Sequence, residues 1–324
     1  MILKIISKHL KRLDLRSLGI LLVIGTLILN YIKMEDNCLA YFNKRKLPIG
    51  FNSMNSTRND PVIFIGGVPR SGSTLLGFVM SANPLISWKP VNFISNSLTS
   101  FWSWHNSSVE KMRLEHAGVK IKTIESAVSS FVLEIISNKN KPIEKIHCVS
   151  DSFSLGHAQY LSKLFPKSKF ILTVRDARSN VFSISRSHAS VPGFSDKNIL
   201  KAFTAWNRYN EMMYNECMYV GKNRCLLVYY EQLVLQPQYE LKRIFKFLNI
   251  KWNDAVLNHE KNFINSIKVS KKMKKPLNLE DLYSWIGNIP ENAFAQLDLS
   301  MMSKLGYDIK SKKPDYQKIR NRNI

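Results

Sequence analysis

The stretch Pro61-Val-Ile-Phe-Ile-Gly-Gly-Val-Pro-Arg-Ser-Gly-Ser-Thr-Leu-Leu-Gly-Phe-Val-Met80 decides the fold, because it reads as a strand, a glycine-rich turn and the start of a helix. Residues 62–65 form a β-branched and aromatic run, which is typical of a strand buried on both faces. From Gly67 the spacing is G-x-x-x-x-G-S-T, the form of a phosphate-binding loop with Ser73 in the usual lysine position. We therefore predict an anion site where this strand meets its helix.

The chemistry of this loop favours a phosphate or a phosphosulfate as the anion. Gly72 lets the backbone turn tightly, so that successive N–H groups surround an anion at the positive end of the helix. Arg70 supplies a cation, and Ser71, Ser73 and Thr74 add hydroxyl donors. The lysine that normally serves a terminal γ-phosphate is missing, which favours a 5′-phosphate or phosphosulfate over ATP hydrolysis. A glycine-rich turn without a ligand is the alternative.

The order of strand, polar turn and helix recurs along the chain. Residues 169–174 and 225–230 are further strand candidates, and each is followed by a helical pattern. This alternation predicts an α/β domain with a mainly parallel sheet flanked by helices. Ligands of such sheets bind at the carboxyl ends of the strands, which places Arg70, Arg175 and Tyr230 at one edge.

Two further structural expectations concern the region between the loop and the second strand. Apolar residues at helical spacing predict one helix over residues 114–136. The aromatic residues between 88 and 106 are expected mainly in the core, because large aromatic side chains are more often buried than exposed.

The amino-terminal region predicts a transmembrane signal anchor. Residues 17–32 contain no charged residue and are mostly Leu, Ile and Val, and a helix of this length spans about 24 Å. Residues 1–16 carry five Lys or Arg and one Asp, so the positive-inside rule leaves them in the cytosol and the rest in the lumen. A cleaved signal peptide and a buried helix are the alternatives. Residues 33–60 form the expected stem, residues 61–310 the globular domain and residues 311–324 a basic tail.

The charge of the chain predicts an anionic partner. Among 324 residues, 47 Lys and Arg oppose 24 Asp and Glu, which gives a net charge of +23. Nucleic acid, a membrane surface, a sulfated polymer and an acidic peptide all fit such a charge. No nucleic acid is expected, because the basic chain carries an anchor and its aromatic residues do not interleave with its basic run.

The cysteines and the sequons fit an oxidising, lumenal compartment. Cys217 and Cys225 are close enough in the sequence to close a short loop as a disulfide, and the other two cysteines have no evident partner. Asn55 and Asn106 begin N-x-S/T sequons, which are acceptors for glycosylation. No Cys/His spacing resembles a zinc site, so no metal is predicted.

These residues together resemble the Golgi protein-tyrosine sulfotransferases. The resemblance covers roughly residues 60–310. It implies the sulfotransferase fold, 3′-phosphoadenosine-5′-phosphosulfate (PAPS) as co-substrate, acidic tyrosine-containing peptides as acceptors and a single-pass type II protein of the Golgi membrane; it also admits a homodimer. Beyond the loop, the motifs that carry it are Arg113-Leu-Glu-His-Ala-Gly-Val119, Val174-Arg-Asp176, Tyr229-Tyr-Glu-Gln-Leu-Val-Leu235, Trp285-Ile-Gly-Asn-Ile-Pro290 and Leu305-Gly-Tyr-Asp308.

The resemblance assigns the donor site residue by residue. The loop that holds the 5′-phosphosulfate corresponds to Arg70, Ser71, Gly72, Ser73 and Thr74. The pair that holds the 3′-phosphate corresponds to Arg175 and Ser183, and further cofactor contacts correspond to Tyr230 and Lys275. A guanidinium with a hydroxyl suits that dianion. One of the family's disulfides corresponds to Cys217 and Cys225.

The acceptor side departs from the family. The family's catalytic glutamate falls on Val91, which cannot accept a proton, and its peptide-reading arginine falls on Phe93. A lysine near the transferred sulfuryl group falls on Ser150, and the disulfide partner of Cys148 falls on Trp88, so that disulfide is expected to be missing. The catalytic residue is therefore unassigned.

Three functions stay open from the sequence. The first is a protein-tyrosine sulfotransferase whose base comes from another residue; the second is a pseudoenzyme that binds the nucleotide without turnover. The third is a sulfotransferase for another acceptor, such as a glycan. His105, His116 and His147 are candidates for the base only in being titratable.

Overall fold

The computed structural model of this chain describes residues 57–137, 146–187, 191–195, 198–261, 277, 279–289 and 297–319. The anchor predicted at residues 17–32 lies outside these ranges. Within them, no helix is long and apolar enough to cross a membrane.

A parallel β-sheet forms the centre of the fold and confirms the predicted α/β class. Five strands lie in the order β2-β3-β1-β4-β5, and every neighbouring pair is parallel. The central strand is buried along its whole length. The strands are β1 Val62–Gly66, β2 Ile86–Pro90, β3 Ile146–Ser150, β4 Lys169–Val174 and β5 Cys225–Tyr229.

Eleven described helices connect or cover the strands. In chain order they are α1 Ser73–Met80, α2 Ile94–Asn106, α3 Ser108–His116, α4 Ile121–Ile136, α5 Ala158–Leu164, α6 Ala177–Ser185, α7 Ile199–Val220, α8 Tyr230–Leu235, α9 Pro237–Leu248, α10 Glu280–Tyr283 and α11 Ser300–Leu305. Short 3₁₀ segments lie at Ser154–His157, Asp254–Lys261 and Tyr316–Lys318.

The sheet separates two apolar cores because successive residues of a strand point to opposite faces. Val62 and Phe64 of β1 belong to the larger core, which also contains buried residues of α2, α4 and α7. Ile63 and Ile65 belong to the other core, which contains residues of α1 and α9. All of β1 is therefore apolar, as the sequence predicts for a strand covered on both faces.

The helix predicted over residues 114–136 is instead two helices, α3 and α4. Gly118 ends the first in a left-handed conformation with φ of 68°. Its N–H donates to the Glu115 carbonyl, and the Val119 N–H donates to the Leu114 carbonyl at 2.8 Å. This pair of bonds is the Schellman ending of a helix, and glycine adopts the required φ without strain.

The aromatic residues between 88 and 106 are only partly in the core. Trp88 lies in β2, an edge strand that the sequence did not predict, and is 1% exposed. Phe93, Trp102 and Trp104 are 50%, 37% and 43% exposed. The expectation of a mainly buried set is therefore wrong for these three residues, which lie on the outside of α2 or at its start.

The predicted disulfide is confirmed. Cys217 near the end of α7 is bonded to Cys225 at the start of β5. Cys148 of β3 is a free, buried thiol whose neighbour in the β2–β3 register is Trp88. Burial raises the pKa of this thiol far above its ordinary range.

The described carboxyl-terminal residues pack against the domain as far as Ile319. Tyr316 and Ile319 are buried, although the sequence assigns residues 311–324 to a basic tail. We call residues 279–289 and 297–319 the carboxyl-terminal strap.

Candidate functional site

The glycine-rich loop joins β1 to α1 at the carboxyl edge of the sheet. The loop is fixed from two sides, since the Gly67 N–H donates to the Ser152 carbonyl at 2.8 Å and Thr173 Oγ1 donates to the Gly66 carbonyl at 3.0 Å. Gly72, with φ of 100°, is the N-cap of α1. The first N–H groups of a helix have no partner inside the helix, so the start of α1 is a candidate anion site.

The loop residues Ser71, Ser73 and Thr74 differ in their surroundings. Ser71 is buried, and its Oγ shares a hydrogen bond of 2.8 Å with Thr173 Oγ1, so this side chain shapes the loop. The Ser73 carbonyl accepts a hydrogen bond of 3.1 Å from Ser150 Oγ. Thr74 in the first turn of α1 is half-buried.

Arg70 and Arg175 meet in front of the loop. Arg175 Nη1 donates to the Arg70 carbonyl at 3.2 Å, and Arg70 Nε donates to Ser183 Oγ at 3.1 Å. Partial burial, with the charge of Arg175, lowers the pKa of Arg70. Two neighbouring guanidinium groups repel each other, and an anion bound between them would relieve that repulsion. The three predicted donor residues Arg70, Arg175 and Ser183 therefore lie together.

Tyr230 completes this cluster, as the rule for parallel sheets predicts. The Arg175 guanidinium lies over the Tyr230 ring, 4.3 Å from its centroid. A Cβ added to Gly72 would meet Tyr230 Cδ2 at 2.8 Å. Glycine is thus required at position 72 both by its φ and by the close approach of Tyr230. Lys275, the remaining predicted donor residue, lies outside the described residues, as does the sequon residue Asn55.

The acceptor side of the edge is apolar or neutral. Val91 follows β2, is 6% exposed and donates its N–H to the Ser150 carbonyl at 2.9 Å. Ser150 is buried and accepts a hydrogen bond of 2.7 Å from Trp88 Nε1. Phe93, two residues after Val91 in the chain, is half exposed. None of these four side chains can take a proton from an acceptor hydroxyl at neutral pH.

Two titratable side chains follow β3 near this edge. Asp151 is buried, and its carboxylate accepts the backbone N–H groups of Ser95 at 3.1 Å and of Phe153 at 3.3 Å. Burial raises the pKa of Asp151 in spite of these bonds. His157 shares a hydrogen bond of 2.8 Å with the exposed Thr99 hydroxyl, and burial lowers its pKa. An imidazole with a lowered pKa is mostly neutral at neutral pH, which is the form that accepts a proton.

The histidines that the sequence singles out are placed less favourably. His147 is the second residue of β3, at the end of the strand away from the loop. His116 ends α3 on the surface. Of His105 only its place in α2 is described. The sequon residue Asn106 ends the same helix, and its side-chain nitrogen is buried.

A buried polar network that the sequence did not predict lies beside the donor residues. The Asp176 N–H donates to Glu231 Oε1 at 2.8 Å, and Arg178 forms an ion pair of 2.6 Å with Asp176. Asp176 directly follows Arg175, and Glu231 directly follows Tyr230. A charged residue at this position near the end of a strand is the sequence signal from which both could have been predicted. Among the described residues, no group of His, Cys, Asp or Glu has a metal-binding arrangement.

Comparisons of the sequence with known proteins point to one protein family. A profile described as "Sulfotransferase family" matches residues 61–254. Protein-tyrosine sulfotransferase 2 of Gallus gallus is 39% identical over 267 residues, which cover 79% of this chain and 72% of that protein. Protein-tyrosine sulfotransferase 1 of Homo sapiens is 40% identical, over a match that covers 80% of this chain and 72% of that protein. Protein-tyrosine sulfotransferase A of Caenorhabditis elegans is 37% identical, over a match that covers 83% of this chain and 74% of that protein.

A solved structure shares the fold. The sulfotransferase domain of the Synechococcus PCC 7002 olefin synthase superposes with a TM-score of 0.53 at 18% sequence identity. The match covers 78% of this chain and 97% of that one. At this identity, the likeness bears on the fold alone.

Proposed function

This chain belongs to the sulfotransferase family and is similar to its protein-tyrosine sulfotransferases, and we propose that it transfers the sulfuryl group of PAPS to tyrosine residues. The observation that carries the proposal is the meeting of Arg70, Arg175, Ser183 and Tyr230 in front of the glycine-rich loop. The acceptors we propose are acidic, tyrosine-containing segments of secretory-pathway proteins.

The residues present fit the two charged ends of PAPS. The amides at the start of α1 and the Arg70 guanidinium would hold the 5′-phosphosulfate, because amides at a helix start and a cation both favour an anion there. Arg175 and Ser183 would hold the 3′-phosphate, and Tyr230 keeps the Arg175 guanidinium in place by contact with its ring. PAPS supplies an activated sulfuryl group on its 5′-phosphate.

Catalysis in this site would rest on positioning and on charge. During transfer, the tyrosine oxygen forms a bond to sulfur, the bond from sulfur to the phosphate oxygen breaks, and 3′-phosphoadenosine-5′-phosphate (PAP) leaves. Fixed cations and amides that face the transferred group stabilise the charge that develops on it. The phenol must also lose its proton, with a pKa near ~10, and Val91 cannot accept it.

The location and assembly of the protein are also part of this proposal. The uncharged residues 17–32 follow a basic amino terminus, which supports a type II anchor in the Golgi membrane. The disulfide between Cys217 and Cys225 supports a lumenal position of the domain, because the lumen is oxidising. The exposed side chains Met112 and Ile121 lie on α3 and α4, whose connection contributes to a cavity of about 500 Å³. These two exposed apolar side chains support a homodimer.

The test is transfer of radiolabelled sulfate from PAPS to an acidic tyrosine peptide by the full-length chain in detergent. We expect transfer by the wild type and a loss of at least ~10²-fold in Arg70→Ala, since a charge that faces the transferred group is worth about that much. Transfer that is absent in the wild type, or equal in the wild type and in Arg70→Ala, would contradict the proposal.

A second candidate function follows from Val91 and its neighbours. Since these side chains include no proton acceptor, one candidate is a pseudoenzyme that binds PAP or PAPS. Phe93, in the place of the family's peptide-reading arginine, favours instead an acceptor other than an acidic tyrosine peptide. Calorimetry that shows PAP binding without turnover on peptides or glycans would select the pseudoenzyme. Turnover on a glycan panel with none on peptides would select the other acceptor.

A further inference from the structure

The carboxyl-terminal strap touches the donor residues directly. Arg175 Nη2 donates to the Asp281 carbonyl at 2.8 Å, and Ser179 Oγ donates to the same oxygen at 3.2 Å. Arg175 Nε in turn donates to Ser179 Oγ at 3.0 Å. The guanidinium proposed to hold the 3′-phosphate is thus oriented partly by a residue more than a hundred positions further along the chain.

Arg178 binds the strap to the start of α6. Its guanidinium is almost fully buried, forms the ion pair with Asp176 and lies 4.5 Å from the centroid of the Trp285 ring. It also donates to the carbonyls of Ser311 and Asp308, both at 2.9 Å. Because all these partners belong to the protein, Arg178 acts as a connection between two segments rather than as a contact for a ligand.

Two tyrosine hydroxyls of the strap bind the two buried carboxylates. Tyr316 OH donates to Asp176 Oδ2 at 3.0 Å, and Tyr307 OH donates to Glu231 Oε2 at 3.0 Å. All four residues are buried. A buried carboxylate without its donors is costly, because desolvation is no longer compensated by hydrogen bonds.

The two carboxylates are adjacent in the chain to the two stacked donor residues. Asp176 follows Arg175, and Glu231 follows Tyr230. The hydrogen bond from the Asp176 N–H to Glu231 Oε1 crosses between the two chain segments. The two strap tyrosines therefore hold the backbone at Asp176 and Glu231. These two backbone positions set the distance between the Arg175 guanidinium and the Tyr230 ring.

We propose that Tyr307 and Tyr316 are positioning residues of the donor site, which hold Glu231 and Asp176 and so place Arg175 for the 3′-phosphate. This inference rests on the proposed function, because it takes PAPS as the ligand and Arg175 as its 3′-phosphate contact. The donor site accordingly includes the described end of the chain, as far as Tyr316.

The test compares Tyr307→Phe and Tyr316→Phe with the wild type in the full-length chain. Calorimetry measures the affinities for PAP and for adenosine 5′-phosphate, which lacks the 3′-phosphate. Each variant should weaken PAP binding about 3- to 10-fold and leave the affinity for adenosine 5′-phosphate within about 2-fold, in line with the loss of one buried hydrogen bond.

Tyr229→Phe is the matched control. Tyr229 is buried and donates its hydroxyl to the strap carbonyl of Leu305 at 2.7 Å, but that bond does not involve either carboxylate. The Tyr229→Phe variant should lower the melting temperature as much as the other two variants do, while its affinity for PAP stays that of the wild type. A merely structural role of the strap would make all three variants alike.

The outcomes separate this inference from the proposed function. If the wild type does not bind PAP, the proposed function fails, and the inference fails with it. If the wild type binds PAP and both variants keep its affinity, or lose both nucleotides equally, the inference alone is wrong. Should one Phe variant fail to fold, the other decides the result on its own.

Discussion

Val91 is the residue on which turnover of a tyrosine acceptor depends most. It follows β2 at the carboxyl edge of the sheet and is only 6% exposed. A general base contributes a factor of about 10² to 10⁴ to such a reaction. We therefore expect the apolar side chain at position 91 to slow transfer to tyrosine even where PAPS is bound.

We predict that Val91→Glu raises kcat for a tyrosine peptide at least ~10-fold, because a carboxylate at this position can accept the phenolic proton. The rate of label transfer from PAPS at saturating peptide measures the change. Burial of the new side chain is expected to lower stability, so the melting temperature is recorded for the same samples.

Val91→Gln is the control for this substitution, since its side chain has nearly the same shape and cannot accept the proton. It should not raise kcat. Equal rates in the Glu and Gln variants would mean that the proton leaves by another route, and His157 near Thr99 would then be the first side chain to substitute.

At the scale of the element, the join between β1 and α1 depends on glycine at its turn. Gly72 has φ of 100°, and its missing Cβ leaves room for Tyr230. Arg70, in the same turn, also has a positive φ, of 72°. Strained backbone of this kind is concentrated at functional sites, where the surrounding contacts maintain it.

Gly72→Ala should reduce PAP affinity at least ~10-fold and destabilise the fold by about 1 kcal/mol or more, because the new Cβ is strained and displaces Tyr230 from beneath Arg175. Calorimetry with PAP and thermal unfolding measure the two effects.

The matched control is Gly118→Ala at the end of α3. Gly118 has φ of 68°, and nothing lies within 4 Å of an added Cβ. This variant also places a Cβ at a positive φ, but without the steric contact, so its stability should fall while its PAP affinity stays unchanged. A matching loss of PAP affinity in both glycine variants would show that strain alone, and not Tyr230, is responsible.

At the scale of the whole molecule, the buried network couples pH to stability. Burial raises the pKa of Glu231 from 4.5 to about 7; the Asp176 carboxylate adds to this, while the Asp176 N–H and Arg175 oppose it. Burial and Glu231 also raise the pKa of the Tyr307 phenol. A carboxyl group with a raised pKa in the folded state favours folding at low pH, and this contribution is lost as the pH rises through about 7.

We therefore expect Glu231→Gln to remove part of the pH dependence of stability between pH 4.5 and about 7. The variant stays neutral, so its free energy of unfolding relative to the wild type should rise with pH, by up to about 3 kcal/mol. Chemical denaturation at a series of pH values measures the difference. A difference that is constant with pH, or that falls as the pH rises, would contradict the assignment.

The alternation of elements is the part of the fold that periodicity predicts well. The strand β1 is apolar over its full length, and β4 contains the apolar run Phe170-Ile-Leu172, because helices cover both faces of the sheet; such runs are visible in the sequence. The edge strand β2 is not predicted, since its residues Ile86–Pro90 include a serine, a lysine and a proline and do not form an apolar run.

The donor cluster follows from the sequence for a related reason. Parallel strands place their carboxyl ends at one edge, so the positions of Arg70, Arg175 and Tyr230 after three such strands are enough to predict that they meet. Ser183 and Lys275 require the family resemblance, because neither directly follows a strand. The break at Gly118 escapes prediction because apolar spacing continues across it from α3 into α4, and only the Schellman bonds show the turn.

The sequence by itself determined the α/β class, the disulfide and the candidate donor site at which Arg70, Arg175 and Tyr230 meet, since each depends on local spacing or on a rule of parallel sheets. The tertiary structure alone decided that Asp281, Tyr307 and Tyr316 lie at that site. The two tyrosine contacts join segments 76 and 140 residues apart. Packing of buried polar groups selects such pairs, and no periodic pattern in the chain encodes it.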